Sequence, residues 1–323
     1  MKRPFRIAGL VALFGLVFAA AWVPIPYFAV GPGPANDIDP LIDIKGVPRY
    51  PSEGRLIMTT VRWEQLTALG SFIAWVDDSR FIVGEDAIYP PGVDRDQEQD
   101  RAISQMDQSK IDASIVVLTE LFDYPKDHGT GALIEATGPD CPADGELFVG
   151  DTVVAIDGRR VETIGEARRA IDGVPPGEPV AFRVRAGGEV HEIELTREPC
   201  AGSEEPLVGI QMVSAFPFGI EIASGDVGGP SGGLMFSLGL YDALTPGDLT
   251  GGRTIAGTGT ISPSGKVGGI GGIVDKVIGA ERAGATVFLV PAENMAELRD
   301  VETDLRLISV SSFTQAVDAL EAS

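Results

Sequence analysis

Ser231 stands in Gly229-Pro230-Ser231-Gly232-Gly233, a G-x-S-x-G arrangement in which a tight glycine-rich turn can expose a hydroxyl ahead of a helix. Neighbouring backbone N–H groups could then stabilise an oxyanion. The motif alone leaves Ser231 open between a nucleophile and an ordinary turn serine. A serine hydroxyl needs a base, because at its free pKa it is a poor nucleophile. The chain has two histidines, His128 and His191, and both precede Ser231. The Ser, acid, His order of an α/β-hydrolase is therefore excluded, and both histidines read as surface residues. Lysine is the remaining base, and only Lys266 and Lys276 follow Ser231. Lys266 lies in the turn sequence Pro263-Ser264-Gly265-Lys266, where water would keep its ammonium protonated. Lys276 opens an apolar helix after Gly271-Gly272-Ile273-Val274-Asp275, so burial there could lower its pKa toward neutrality. A helix lysine reaching out into water is the other reading that these residues allow.

Four segments in order widen the context: Gly229 to Leu234, Thr258-Gly259-Thr260 to Val267, Gly271 to Lys276, and Val287-Phe288-Leu289-Val290-Pro291-Ala292-Glu293-Asn294. Together they resemble the Lon-type peptidase family. The resemblance implies a serine endopeptidase with a Ser-Lys dyad, Ser231 as nucleophile and Lys276 as base, and with Thr258 bonded to the lysine amine. It covers about Leu207 to the C-terminus, and the strand ending in Met58-Thr59-Thr60-Val61 resembles the family's N-terminal half. Two departures stand out. Many members carry Asp three residues before the serine, whereas this chain has Gly228 there and Asp226 as its nearest acid. No G-x-x-x-x-G-K-[ST] loop occurs, since Gly265-Lys266 is followed by Val267, so ATP is not an expected partner. The expected substrate is an exposed tail or loop, or a protein already unfolded.

The elements that must position these residues read as an α+β molecule. Arg55 to Val61 reads as a strand, and about Asp94 to Leu121 as a helix whose Ile103, Met106, Ile111, Ile115 and Leu118 recur at near-helical spacing. Asp94, Asp96, Glu98 and Asp100 read as its solvated, dipole-favoured start and not as a metal site. No metal or other cofactor is expected. Further on, Phe218, Ile220 and Ile222 alternate as a strand, Leu234 to Leu244 is a buried helix, and Val274 to Ala283 another. A strand over 286–290 and a helix over 313–320 follow.

Residues 129–200 change character, with short alternating strands at 132–136, 152–156, 180–184 and 192–195 and one helix near 164–171. The run Leu147-Phe148-Val149-Gly150-Asp151 through Asp157-Gly158-Arg159-Arg160-Val161 resembles the PDZ family. That resemblance implies a peptide groove between the strand near Ala132 to Glu135 and the helix near Glu166, with protein or peptide segments as partners. On this reading an α/β Lon-type domain, divided into 41–128 and 207–323, carries an inserted β-rich PDZ-like module. The order is similar to membrane-bound, PDZ-containing Lon-like proteins of bacteria.

The N-terminus adds a membrane signal. Lys2, Arg3 and Arg6 precede an uncharged apolar stretch from Ile7 to about Val23, followed by Pro24, Pro26, Tyr27 and Phe28. A cytoplasmic tail over 1–6, a plasma-membrane helix over 7–28 and a linker over 29–40 are expected, with the body extracytoplasmic. A signal peptide cut near Ala19-Ala20-Ala21 is the competing reading. In either case Cys141 and Cys200, 59 positions apart, meet an oxidising compartment, where they form a disulfide or stay as two thiols. A net charge of −22 with no basic stripe argues against nucleic acid. An oligomer is compatible with the resemblance, which leaves its size open. The rival from another class is a catalytically silent receptor or adaptor that displays the PDZ-like module.

Overall fold

The computed structural model describes residues 15, 18, 21–76, 81–89, 95–125, 130–200, 203–225 and 227–322. The first part supplies strands β1 (Pro24–Asp37), β2 (Ile42–Lys45), β3 (Arg55–Thr67) and β4 (Phe81–Gly84), with helices α1 (Ala68–Val76) and α2 (Arg95–Phe122). The middle part contains β5 (Ala132–Thr137), β6 (Thr152–Ile156), β7 (Arg159–Arg160), α3 (Ile164–Asp172), β8 (Pro179–Ala186), β9 (Glu189–Thr196), β10 (Glu198–Cys200), β11 (Ser203–Leu207) and β12 (Ile210–Ser214). The last part runs through β13 (Gly219–Ile222), α4 (Gly233–Leu244), β14 (Thr254–Gly257), β15 (Thr260–Ile261), β16 (Val267–Gly268), α5 (Ile273–Arg282), β17 (Val287–Pro291), β18 (Arg306–Val310) and α6 (Phe313–Glu321).

One six-stranded sheet, ordered β18-β17-β14-β3-β1-β4, takes strands from both ends of the chain. Its β18-β17-β14-β3 half is parallel, and β3-β1-β4 is antiparallel. Alternation along β3 sends Leu56 and Met58 to one face and Ile57 to the other. The first face packs against α2, α4 and α6, the second against α5. Because β3 and β14 pair through Arg55–Met58 and Thr254–Gly257, the segment before the middle module and the segment after it share one core.

The stretch expected as a membrane helix, 7–28, lies mostly outside the described residues, and among those no helix is long and apolar enough to cross a membrane. Its last five residues, Pro24–Phe28, are strand. The expected linker over 29–40 is corrected too: Ala29 to Asp37 continues β1 between β3 and β4, and Ile38 is fully buried. Glycine and proline in Gly31-Pro32-Gly33-Pro34 suggest a linker, yet β1 absorbs them with a register shift between Pro32 and Ala35. Gly33 fits there because a Cβ would lie 2.4 Å from Thr60 Oγ1.

The middle module is a second sheet, β12-β5-β6-β8-β9, under α3 and around its own core of Ile134, Leu147, Ile156 and Phe182. Two expectations change here. The boundary placed at 207 moves, since β12 belongs to this sheet. The expected groove strand, Ala132 to Glu135, is paired on both edges by β6 and β12. The sheet edge beside α3 is instead β12, which packs with that helix. The chain turns through Gly209, at φ 85°, to re-enter the sheet, and the Cys141–Cys200 disulfide sits over that turn.

Candidate active site

Ser231 lies in a single 3-10 turn, Pro230–Gly232, that leads into α4. Gly229 enters this turn at φ 86°, a backbone region that L side chains rarely adopt. The turn is held from two sides. The Ser231 carbonyl accepts from Gly259 N–H at 2.9 Å and from Thr258 Oγ1 at 3.0 Å. On the other side, Ser109 Oγ of α2 donates to the Pro230 carbonyl at 3.0 Å, and Gly229 N–H donates to the Ala102 carbonyl at 2.7 Å.

Lys276 comes from the first turns of α5, which begins after Gly272 in the left-handed conformation, φ 69°. Its Nζ donates to Ser231 Oγ at 2.7 Å and to Thr258 Oγ1 at 3.0 Å. With its own proton committed to the Ser231 carbonyl, the Thr258 hydroxyl can only accept from the amine. Lys276 is 4% exposed, and burial lowers its pKa to about 8. The amine is thus neutral in a sizeable fraction near pH 8, and its bond to Thr258 holds it against Ser231 Oγ.

A cleft of about 620 Å³ opens over this pair, lined by Thr59, Val61 and Trp63 of β3, Val30 of β1, Ala102 of α2 and the Gly228–Gly229 backbone. Strand β14 pairs with β3 only as far as Met58, so from Thr59 onward that edge of β3 faces the cleft. Among the described residues, two buried polar atoms near the site have no hydrogen-bond partner, Thr59 Oγ1 and Asp275 Oδ1, and burial raises the pKa of Asp275.

The structure brings Ser231, Lys276 and Thr258 together and leaves Lys266 and His191 elsewhere. Lys266 is exposed and pairs with Glu293 at 3.9 Å. His191 is exposed on β9. His128 and Asp226 lie outside the described residues. The absence of an acid at Gly228 has a steric counterpart, since a Cβ there would come within 2.8 Å of Ala102 Cβ. The oxyanion donors also need revision: Gly229 N–H is engaged by Ala102, and Pro230 has none. Of the turn's N–H groups, Gly228 and Ser231 remain as candidates. Thr59 and Asp275 lie in segments that carry the resemblance, but neither is singled out there as a site residue. Thr59 could have been found only by following the β3 alternation into the cleft.

A serine turn joined to a buried lysine defines the class of site. Residues 217–321 match the Lon protease (S16) C-terminal proteolytic domain, and residues 133–186 match the PDZ domain. The chain is 41% identical over 78 residues to Lon protease 2 of Herpetosiphon aurantiacus, covering 24% of this chain and 9% of that protein. It is 31% identical over 105 residues to Lon protease 2 of Bacillus subtilis, covering 32% of this chain and 18% of that protein. The matches therefore span less than a fifth of those relatives. The PDZ domain of an SdrC-like protein from Listeria innocua aligns at 24% identity and a TM-score of 0.24, over 25% of this chain and 92% of that structure. The chain carries a Lon-type proteolytic domain and a PDZ domain, and these matches support a serine peptidase.

Proposed function

We propose that the protein is an ATP-independent serine endopeptidase that works outside the plasma membrane on segments docked by its PDZ module. The observation that carries the catalytic part is the buried Lys276 amine 2.7 Å from Ser231 Oγ. Neutral Lys276 takes the hydroxyl proton as Ser231 Oγ bonds to the scissile carbonyl carbon. The resulting oxyanion is held by the N–H groups of Gly228 and Ser231. The lysine ammonium then gives its proton to the leaving amine as the C–N bond breaks, which leaves an acyl-serine. Water, deprotonated by the same amine, releases the acid and restores Ser231.

The substrate lies extended along the open edge of β3 from Thr59, adding as a strand. Its docking segment adds to the β12 edge beside α3. The ATP-independent reading is supported by Gly265-Lys266 being followed by Val267, which departs from the phosphate-binding loop pattern. The extracytoplasmic setting and the anchor rest on the basic start and the apolar stretch Ile7 to Val23.

Ser231→Ala and Lys276→Ala should each abolish cleavage of an unfolded protein in the absence of nucleotide, with the circular dichroism spectrum unchanged. Cleavage that survives either substitution overturns the mechanism. A wild-type chain that binds peptides without cleaving any of them returns the reading to a receptor.

A further inference from the structure

The chain exposes an unusual set of large apolar side chains at one end of its main sheet. Helix α1, ALGSFIAWV, has no charged residue, and it buries Ala74 against Ala29 and Leu66. Its other side presents Phe72, Ile73 and Trp75 to solvent, at 62%, 60% and 74% exposure. Phe72 and Trp75 lie against each other with ring centroids 6.2 Å apart, so they form one aromatic surface. Soluble monomers seldom leave such a patch bare.

What covers this patch follows from where the chain comes from. Pro24 is paired with Thr67, the residue before α1. The helix therefore starts beside the point where β1 emerges from the uncharged stretch Ile7 to Val23, and Trp22 at that point is 72% exposed. An aromatic-rich, charge-free surface continuous with an apolar stretch of that length has the chemistry of the bilayer interface, where Trp and Phe lie among the headgroups. The net charge of −22 disfavours electrostatic attraction to anionic lipid, so contact must be apolar.

We infer that α1 docks in the lipid interface and holds the body of the protein against the membrane. This rests on the proposed N-terminal anchor. Trp63 and Val30 are cross-strand partners, and both line the catalytic cleft; Val30 is in turn paired with the exposed Phe81 of β4. The apolar row Trp63-Val30-Phe81 thus runs from the cleft toward the docked edge. The cleft then opens close to the bilayer, where polypeptide segments just emerging from a membrane are within reach.

The test uses the full chain in vesicles, with Trp22→Phe and Trp63→Phe leaving Trp75 as the single indole. Lipids brominated high in the acyl chain should lower Trp75 fluorescence at least twofold against unbrominated lipid, and raised salt should not relieve this. Phe72→Ser with Ile73→Ser should abolish the quenching while the chain still floats with the vesicles. A floating chain whose Trp75 ignores lipid bromine but responds to aqueous iodide overturns the docking and leaves the anchor standing. Shielding from both quenchers means that protein covers the patch, which also overturns the lipid assignment. A chain that does not float overturns the anchor, and the docking with it.

Discussion

Lys276 is buried where an ammonium is poorly solvated, and both its chemistry and its cost to folding come from that placement. Its folded pKa, about 8, lies below the ordinary 10.5. The unfolded chain therefore binds more protons than the folded one between those values. Stability contributed at this site rises with pH through the window from about 8 to 10.5, and the penalty is fully present below about 8. A shift of this size corresponds to roughly 3 kcal/mol. Lys276→Met should raise the melting temperature at pH 7, and thermal denaturation at pH 10 should show a smaller gain. Thr258 accepts a hydrogen bond from that amine. Removing its oxygen with Thr258→Val takes away a charge-assisted partner, so the lysine should titrate lower still. The pH-rate midpoint should move down and kcat should fall by about 10- to 100-fold, as expected for a lost proton-transfer geometry. At this scale the sequence was informative: the two histidines before Ser231 left lysine as the base to consider, the Lon-type resemblance implied Lys276, and the structure sets that amine against Ser231 Oγ. It was silent on the engagement of Gly229 N–H by Ala102, since a hydrogen bond between distant segments leaves no local pattern.

Elements carry these side chains to one another, and α5 does so from a left-handed start. Gly272→Ala would place a Cβ 2.9 Å from Val61 Cγ2 at φ 69°. The substitution should cost about 1–2 kcal/mol and lower activity, because α5 must shift with Lys276; urea melts and kcat on the same variant check both. Helix α2 reaches in the other direction. Between its first turns and its middle it meets the serine turn through Ala102 and Ser109, and just past its end Tyr124 Oη donates to the Ser214 carbonyl of β12 at 2.6 Å. Burial pushes the Tyr124 phenol up to about 12, so it remains a donor at physiological pH. Most helices were legible from spacing within a residue or two, as with Phe313–Glu321. The misses have physical reasons. Strand β1 hides behind Gly31 to Pro34, and β12 lies beyond the hairpin that closes the module, so only a non-local pairing with β5 reveals its place.

The described residues form two folded units threaded by one chain, the larger packed on both faces of its sheet, with the module entered at residue 130 and left at 215. The Cys141–Cys200 bridge closes a 59-residue separation inside that module, worth up to about 4 kcal/mol by the chain-entropy argument. Cys141→Ser with Cys200→Ser should lower the module's denaturation midpoint while the Ser231–Lys276 pair, which belongs to the other core, keeps its chemistry; calorimetry beside a small-ester hydrolysis assay separates the two. The split of the main sheet was suggested by the resemblance that the motifs carry, whereas the edge proposed for peptide docking required the strand order itself.

The central claim is that Ser231 becomes acylated when Lys276 is neutral. Intact-mass and peptide-level mass spectrometry of the full chain, after brief exposure to an activated peptide ester, reads this directly across a pH series. The account predicts one acyl group on Ser231, forming at a rate that rises to a plateau with a midpoint near pH 8, and no adduct in Lys276→Ala. An adduct on another residue, or acylation of Ser231 that is unchanged without Lys276, would contradict it.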